Sequence, residues 1–458
     1  MNNNKSKKNI EQVQQTLIDN SDAKPSASSL SIKKRKQAQV KKPNKIIYRT
    51  IVALCSFLHR KKYALEVCKS AGFAELKPPY IVLANHISNI DFTVVASAMA
   101  PVILNFVVAT FYFRLRFLNG ILRFMGCIPK EQFQPDTRAI KNIFSIIQRG
   151  DAVAIYPAGQ STFDGEATYM DASIASLLKK LKVPVVAVHI NGAFIACPKW
   201  NMGLRKSRIE VSVDVLFSPH ELEMLSLEDI YQKVKNALDF DDYEWQRKTM
   251  VKASKPHSAK GLERVLYRCP RCQTEFEMHT QRNRLWCASC GNAALMNEYG
   301  LLLPADSSCI IFDTPTQWSR WQMQCYKQQV RLPEFACSEP VFLVKISKHG
   351  RYTKVGSGIA EINIDRFCYH GTYNDTEVSW EVKNNLSAVF AHEVKGHFDF
   401  VHNGEFFSIA PFNSASAFKF VALKEAIFQQ YYCKNNGQSG QPPSTTQSPS
   451  PILYQKST

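Results

Sequence analysis

The sequence of 458 residues is short of acidic side chains: 39 Asp and Glu stand against 57 Lys and Arg, which leaves a net charge of +18. It also lacks an apolar run before Ile46, so we expect no secretory signal peptide. Hydrophobic residues make up 45% and charged residues 21%, which excludes a wholly disordered chain and a polytopic membrane protein. A basic protein of this kind usually meets nucleic acid or an anionic membrane surface.

Long uninterrupted apolar runs are lacking as well. Residues 94–113 are mostly apolar, but Pro101 and Asn105 interrupt them. We therefore expect a buried helix, a turn and a buried strand there rather than a membrane span. The thirteen cysteines are too few and too scattered for a disulfide scaffold, and four of them fall in one pattern typical of metal ligation. This cysteine usage favours a reducing cytosol.

Composition divides the chain into five segments. Residues 1–45 carry eleven Lys and Arg against three acids, without periodicity, and the C-terminal end is polar and rich in Ser and Pro. We predict a disordered basic arm at 1–45, an α/β domain at 46–250, a zinc-ribbon segment at 262–300, a β-rich domain at 301–433 and a disordered tail at 434–458.

The segment at 46–250 alternates short apolar runs with helical patterns, which is typical of an α/β fold with a mixed sheet. The predicted strands lie at 80–84, 105–109, 152–156, 185–190 and 210–215. The predicted helices lie at 46–59, 92–99, 137–148, 172–181 and 227–238. We therefore predict an α/β fold, a mixed sheet flanked by helices, followed by a zinc ribbon and a small β-rich domain closed by a C-terminal helix.

The β-rich segment has a clear hairpin signal. Asn403-Gly404 separates predicted strands at 396–401 and 405–410. An apolar-periodic helix is predicted at 415–431. Several strands closed by one helix predict a small β-barrel or sandwich, which is similar to a pleckstrin-homology or GRAM domain.

One His and one Asp carry the chemistry of the α/β segment. In Asn85-His86-Ile87-Ser88-Asn89-Ile90-Asp91 they lie five apart, directly after a predicted buried strand. The Asp can accept the Nδ1–H of the imidazole, which leaves Nε2 as a general base. Spacing alone fits a hydrogen-bonded structural His and a helix-capping Asp as well. Because the sequence has no G-x-S-x-G nucleophile elbow, we expect the pair to act directly on a substrate hydroxyl.

Four segments in order resemble the glycerolipid acyltransferases, the family of 1-acylglycerol-3-phosphate and related lysophospholipid acyltransferases. His86 and Asp91 match the family's N-H-x-x-x-x-D motif in full. The other three matching segments are Gly126-Cys127-Ile128-Pro129, Tyr156-Pro157-Ala158-Gly159 and Val183-Pro184-Val185-Val186. The resemblance covers about residues 46–245, so it identifies the segment at 46–250 as an acyltransferase-like domain.

The resemblance implies transfer of a fatty acyl group from acyl-CoA or acyl carrier protein to the hydroxyl of a lysophospholipid. His86 would be the general base, oriented by Asp91, and backbone donors around Gly159 would stabilise the oxyanion. The substrate-binding residues would be Asn85, Lys130, Gly159 and Ser161. Because a thiol leaves readily, no covalent enzyme intermediate is required.

Three positions depart from the family pattern. Gln132 stands where the second motif normally carries an Arg, Ala158 replaces a Glu, and Ser161 replaces the Arg of the third motif. Losing both Arg removes bidentate recognition of a phosphate. Lys130 or Arg138 could substitute, so the acceptor stays open between lysophosphatidate, a larger lysophospholipid and an unphosphorylated lipid hydroxyl.

Two C-x-x-C pairs, fourteen residues apart, indicate a zinc site. Cys269, Cys272, Cys287 and Cys290 would hold one tetrahedral Zn²⁺, and four thiolates leave no open position for catalysis. The metal would therefore be structural; contact with nucleic acid or protein through nearby Arg residues is the alternative. His392 and His397 flank a Glu but lie five apart in a strand-rich context, which excludes a zincin helix.

The predicted helix at 46–59 lies between two basic clusters, at 41–45 and 60–62. This pattern fits an interfacial anchor on an anionic membrane surface, and an ordinary packing helix fits it too. We predict a cytoplasmic enzyme, peripherally associated with the inner or cytoplasmic membrane face, for which nucleic acid is an unlikely partner. The alternative is a catalytically weak or inactive lipid- or nucleic-acid-binding adaptor that uses the zinc ribbon and the β-rich module.

Overall fold

The computed structural model describes residues 40–132, 136–201, 203–253, 258–347, 351–393, 396–432 and 452–453. The predicted basic arm up to residue 39 and the predicted tail, apart from residues 452–453, lie outside the described residues.

Seven strands form a mixed sheet in the order β1-β7-β6-β2-β5-β3-β4. They are β1 (Glu66–Lys69), β2 (Ile81–Ala84), β3 (Leu104–Ala109), β4 (Ile128–Lys130), β5 (Ala152–Ile155), β6 (Val185–Asn191) and β7 (Glu210–Phe217). The five strands from β6 to β4 run parallel to one another, and β7 is antiparallel to β6. The predicted mixed α/β fold is therefore confirmed.

Helices cover both faces of this sheet. They are α1 (Lys45–Tyr63), α2 (Ala71–Ala74), α3 (Asp91–Ala98), α4 (Thr110–Arg114), α5 (Arg116–Phe124), α6 (Thr137–Gln148), α7 (Ser173–Leu181), α8 (Ala193–Ala196), α9 (Pro219–Met224), α10 (Leu227–Leu238) and α11 (Asp242–Thr249). Successive residues of β2 enter opposite apolar clusters: Val82 packs on one face, and Ile81 and Leu83 pack on the other. This alternation explains why all four residues of β2 are buried.

The apolar run at 94–113 belongs to the folded core. It comprises most of α3, a turn that contains Pro101, all of β3 and the beginning of α4. Val94, Leu104 and Phe106 are fully buried. Within the part of the chain that the structure describes, no helix combines the length and apolarity needed to cross a membrane.

A small antiparallel sheet with the order β11-β10-β9-β8 follows a 3₁₀ turn at Leu262–Arg264. Its strands are β8 (Met278–Gln281), β9 (Arg284–Cys287), β10 (Ala293–Met296) and β11 (Leu302–Pro304). The pairing of β10 with β11 carries this sheet across the boundary predicted between residues 300 and 301. A short strand β12 (Ile310–Ile311) and then α12 (Pro315–Gln329) come next.

The C-terminal region is an antiparallel sheet of seven strands in the order β16-β15-β14-β13-β19-β18-β17. The strands are β13 (Ala336–Ile346), β14 (Tyr352–Asn363), β15 (Arg366–Tyr373), β16 (Thr376–Lys383), β17 (Ala391–Glu393), β18 (His397–His402) and β19 (Glu405–Pro411). Helix α13 (Ser416–Ile427) continues as a π-helical turn at Phe428–Tyr432, and β20 (Ile452–Leu453) pairs with β12. Asn403 and Gly404 have φ of 49° and 75°, as a tight hairpin turn between β18 and β19 requires.

Helix α12 was not predicted from the sequence. Its buried face mixes Trp318 and Tyr326 with the polar residues Thr316, Ser319 and Gln322. Hydrophobic periodicity, the main sequence signal for a helix, is therefore weak in this segment. The polar residues are buried because each has a partner in a neighbouring element, and two of those contacts reach the α/β domain.

Candidate active site

His86 and Asp91 meet at the edge of the sheet where the parallel strands end. His86 follows β2 and Asp91 begins α3, at the carboxyl edge that holds the ligand sites of open α/β sheets. The Nδ1 atom of His86 lies 2.8 Å from Oδ2 of Asp91. The His86 side chain is 23% exposed and that of Asp91 is fully buried. The imidazole is therefore held on its Nδ1 side and open to the outside.

The Asp91 carboxylate is fixed by more than the imidazole. The backbone N–H groups of Ile87 and Ser88 donate to the same Oδ2 over 2.7 and 2.9 Å. Burial raises the pKa of Asp91 above its ordinary value, and the hydrogen bonds from His86 and the two backbone groups oppose that shift. The arrangement orients the His86 ring and favours an imidazolium when it forms, as a His–Asp pair does in general base catalysis.

Tyr156 is a site residue that sequence reasoning did not single out. Its ring stacks on the imidazole of His86, with centroids 4.4 Å apart and planes at 27°. Tyr156 directly follows β5, which pairs with β2 in parallel, so the strand register brings the first and third motifs together. The feature of the sequence that could have indicated this contact is the position of Tyr156, at the end of a predicted buried strand.

The side chain of Asn85 is buried in the sheet. Its amide nitrogen donates to the carbonyl of Ile190 over 2.8 Å, and its Oδ1 accepts from the N–H of the same residue over 2.8 Å. These bonds tie the end of β2 to β6 directly before His86. Both polar atoms of the Asn85 side chain therefore have partners in the main chain of Ile190, and substrate binding by Asn85 stays a prediction.

Gly159 and Ser161 differ from each other in exposure. Gly159 is exposed and has a φ of 72°, which a glycine adopts without strain. Its N–H donates to the carbonyl of Tyr156 over 3.0 Å, so in this geometry that N–H is not available to an oxyanion. Ser161 is buried, and its carbonyl accepts from Nζ of Lys199 over 3.2 Å.

Lys130 is the last residue of β4 and Gln132 follows this strand, at the same edge of the sheet. Lys130 is exposed, and its ammonium group lies 3.4 Å from the carbonyl oxygen of Glu131. Nε2 of Gln132 donates to the carbonyl of Gly159 over 3.3 Å. Gln132, at about the place of the family's Arg, therefore links the second and third motifs, while Lys130 stays open to solvent. Arg138 is exposed in the first turn of α6.

The family comparison agrees with this geometry. Residues 59–191 match the family model described as Acyltransferase. The chain therefore contains an acyltransferase-family domain. The matched range includes His86, Asp91, Tyr156 and all four motif segments.

Beyond the family model, the solved structures to which the chain is similar include the 1-acyl-sn-glycerophosphate (LPA) acyltransferase PlsC from Thermotoga maritima. The identity is 18%, the match covers 46% of this chain and 83% of that chain, and the TM-score is 0.37. No curated protein matches the chain.

Four cysteines come together beyond the acyltransferase domain. The Sγ atoms of Cys269, Cys272, Cys287 and Cys290 all lie within 4.8 Å of one another. Two of the Sγ–Sγ distances, Cys269 to Cys290 and Cys272 to Cys287, are 3.7 Å. A tetrahedron with Zn–S bonds of about 2.3 Å has edges of about 3.8 Å, so the thiols fit one zinc ion.

The surroundings of the four thiols support a metal ligand set. Asn292, fully buried, donates from Nδ2 to Sγ of Cys269 over 3.6 Å and to the carbonyl of Ile310 over 2.7 Å. Its Oδ1 accepts from the N–H of Ile310 over 2.8 Å. Gly291, with a φ of 76°, makes the turn after the second pair. Hydrogen bonds to a thiolate that fix the ligand in place are typical of metal sites.

Proposed function

We propose that the protein transfers a fatty acyl group from acyl-CoA or acyl carrier protein to the hydroxyl of a lysophospholipid. The observation that carries the proposal is the hydrogen bond between His86 and the buried Asp91, inside the acyltransferase-family domain. His86 is the general base, Asp91 orients it, and Tyr156 covers one face of the ring.

The reaction needs one proton acceptor and no enzyme nucleophile. Nε2 of His86 removes the proton of the acceptor hydroxyl while the oxygen attacks the thioester carbonyl. The tetrahedral intermediate then collapses, the new ester forms, and the C–S bond breaks. The imidazolium returns its proton to the leaving thiolate, so the enzyme regains its starting state and the products are an acylated lipid and a free thiol.

The acceptor headgroup is the open part of the proposal. The exposed ammonium of Lys130 lies at the same sheet edge as the catalytic pair, where it can meet a phosphate. A lysine ammonium offers a phosphate a single point charge, whereas an arginine guanidinium offers two parallel hydrogen bonds. Lys130 therefore suits a phosphodiester headgroup as well as a phosphomonoester. The test is a panel of lysophosphatidate, larger lysophospholipids and monoacylglycerol, each with both donor types.

We expect Lys130→Ala to raise the KM for phosphorylated acceptors about tenfold and to leave the KM for monoacylglycerol unchanged, because only the former lose a charge-assisted contact. The matched control is Lys182→Ala. That lysine lies between α7 and β6, at the opposite edge of the sheet. Equal changes for both classes of acceptor would contradict a role of Lys130 in headgroup recognition.

We propose further that an anionic membrane surface is the partner of this domain, with the protein at the cytoplasmic membrane face. Helices α1, α4 and α5 expose the apolar side chains Ile46, Ile47, Leu54, Phe57, Leu58, Tyr112, Phe117 and Phe124. The exposed basic residues of the same helices are Lys45, Arg49, Arg60, Lys61, Arg114, Arg116 and Arg123. The sequence has no Asp or Glu at 40–65 or at 101–130. We call the exposed apolar and basic side chains of α1, α4 and α5 together the basic face.

The two parts of the basic face adjoin, and they lie near the catalytic edge. The N–H of Asn44, which caps α1, donates to the carbonyl of Phe124 at the end of α5 over 2.9 Å. Helix α4 directly follows β3, whose carboxyl end lies at the same sheet edge as His86. Apolar insertion combined with basic residues is the pattern of interfacial helices on anionic lipid.

We expect Phe57→Ser to weaken binding to vesicles that contain phosphatidylglycerol about tenfold, because a ring inserted among the lipids contributes about 1.5 kcal/mol or more. The control is Phe412→Ser. Phe412 is 60% exposed, against 62% for Phe57, and follows β19 in the C-terminal region. Co-sedimentation that weakens equally in both variants, or binding that does not depend on anionic lipid, would contradict the proposed face.

Two assignments complete the proposal. We infer that the four cysteines bind a structural Zn²⁺, because thiolates occupy every tetrahedral position. We also propose that β13–β19 with α13 form a module of the pleckstrin-homology or GRAM type, which the antiparallel strand order and the closing helix support. Vesicle binding without turnover on any acceptor of the panel would favour the rival function, an inactive lipid-binding adaptor.

A further inference from the structure

The loop at 157–166, which we call the third-motif loop, touches the main chain of the catalytic His. The N–H of Thr162 donates to the carbonyl of His86 over 3.1 Å. Thr162 is fully buried, and Ser161 and Asp164 beside it are buried as well. The position of the His86 backbone therefore depends on where this loop is held.

Helix α12 of the C-terminal part holds the loop at Asp164. Oγ of Ser319 donates to Oδ2 of Asp164 over 2.6 Å, and Oγ1 of Thr316 donates to the carbonyl of Asp164 over 2.9 Å. The other carboxylate oxygen, Oδ1, accepts from Oγ1 of Thr162 over 2.9 Å. Three consecutive hydrogen bonds thus run from Ser319 through Asp164 and Thr162 to the carbonyl of His86.

The same helix makes a second contact with the loop end. The guanidinium of Arg320 donates from Nε to Oε2 of Glu166 and from Nη2 to Oδ2 of Asp241, the latter over 2.7 Å. Asp241 in turn caps α11 by accepting from the N–H groups of its first turn. The fork of one arginine therefore joins the third-motif loop, α11 and α12.

A third contact comes from the C-terminal sheet. Nζ of Lys199 donates to the carbonyl of Ser161 over 3.2 Å and lies 3.1 Å from Nε2 of His392 in β17. The ring of His392 packs edge-on against Phe163 of the loop, with centroids 5.3 Å apart. Lys199 and His392 are both buried, so this contact is closed to water.

We propose that α12 is a positioning element of the active site, and that Ser319 sets the position of His86 through Asp164 and Thr162. The inference rests on the proposed function and adds to it a residue that acts on His86 only through Asp164 and Thr162. Without the Ser319 hydroxyl, a buried carboxylate oxygen loses its donor, and the loop must move to bring it to another partner or to water. Because a base displaced by about 1 Å can lower a rate about a hundredfold, a small loop shift has a measurable effect.

The test compares two serine hydroxyls that each donate to a buried carboxylate of another element. In Ser319→Ala the hydrogen bond lost is the one to Asp164. In Ser408→Ala it is the one to Asp399, between the paired strands β18 and β19. We expect Ser319→Ala to lower kcat at least about tenfold with KM nearly unchanged, and Ser319→Thr, which keeps the hydroxyl, to restore it. Ser408→Ala should keep the kcat of the unsubstituted protein, measured well below the unfolding temperature of both variants.

Hydrogen exchange of the amide of Thr162 gives a readout that does not need activity. It should become faster in Ser319→Ala and stay unchanged in Ser408→Ala. Equal effects of the two variants on kcat and exchange, or no effect of Ser319→Ala on either, would overturn the proposal. If the unsubstituted protein transfers no acyl group but the exchange difference is found, the proposed function fails while the hold of α12 on the loop stands; if the exchange difference is missing too, both fail.

Discussion

His86→Ala is expected to lower acyl transfer at least about a thousandfold, because the substitution removes the only group that the proposed mechanism uses to deprotonate the acceptor. General base catalysis contributes about a hundred- to ten-thousandfold in enzymes, and the stacked Tyr156 cannot replace the imidazole as a base. The measurement is the release of thiol from the acyl donor, followed together with the acylated lipid so that hydrolysis is not counted as transfer.

The control for this variant is His189→Ala. His189 is half-buried in β6 of the same domain, and its Nε2 contacts the carbonyl of Asp239 instead of a carboxylate. That variant should keep its activity. The activity of Asp91→Asn should lie between those of His86→Ala and His189→Ala. This substitution removes the negative charge that stabilises the imidazolium but leaves the His86 ring in place. Retention of a tenth or more of the activity in His86→Ala would contradict the mechanism.

The contact between His86 and Asp91 was predictable from the sequence because it is local. His86 and Asp91 are five residues apart and follow β2, a run of four buried apolar residues. The change from apolar to polar side chains marks the end of such a strand. The start of the loop that carries His86 could therefore be read from the sequence. Helices α6 and α10 begin and end where predicted, since Asp136 and Ser226 cap their first turns.

The support of the site could not be predicted, because its partners are distant in the sequence. Ser319 is 155 residues from Asp164, and His392 is 193 residues from Lys199. Their polar side chains look like surface residues until the elements that carry them are packed together. The edge strand β1 was missed for a related reason: all four of its residues are exposed, so it shows no alternation of apolar and polar positions.

The structure shows what surrounds Ser161, the residue that stands where the third motif normally has an arginine. Ser161, which stands at that position, is buried and holds the ammonium of Lys199 through its carbonyl. The ammonium group of Lys199 contacts the Ser161 carbonyl and Nε2 of His392. In the proposed function a headgroup phosphate is therefore assigned to another cation, the exposed Lys130.

Removal of one zinc ligand is expected to have the second large effect, this time on stability. Cys287→Ser should abolish stoichiometric zinc binding and unfold the sheet β8–β11, because a structural zinc contributes about 10–16 kcal/mol in small zinc modules, as much as the whole stability of a typical domain. The loss should spread further. Leu285 and Met278 of this sheet share one apolar cluster with Trp318 and Tyr326 of α12, so α12 loses part of its support.

The measurements are zinc content, thermal unfolding and acyl transfer, and the control is Cys309→Ala. Cys309 is buried beside the same sheet, where its Sγ accepts from the N–H of Ala293 over 3.4 Å, but it lies outside the group of four thiols. This variant should keep one zinc per chain and lose only the stability that a small buried cavity costs, on the order of 1 kcal/mol. If Cys287→Ser binds zinc and unfolds like Cys309→Ala, the four thiols are not a structural site. If instead it loses zinc, stability and acyl transfer together, the metal supports catalysis from outside the acyltransferase domain, through the helix that holds the loop beside His86.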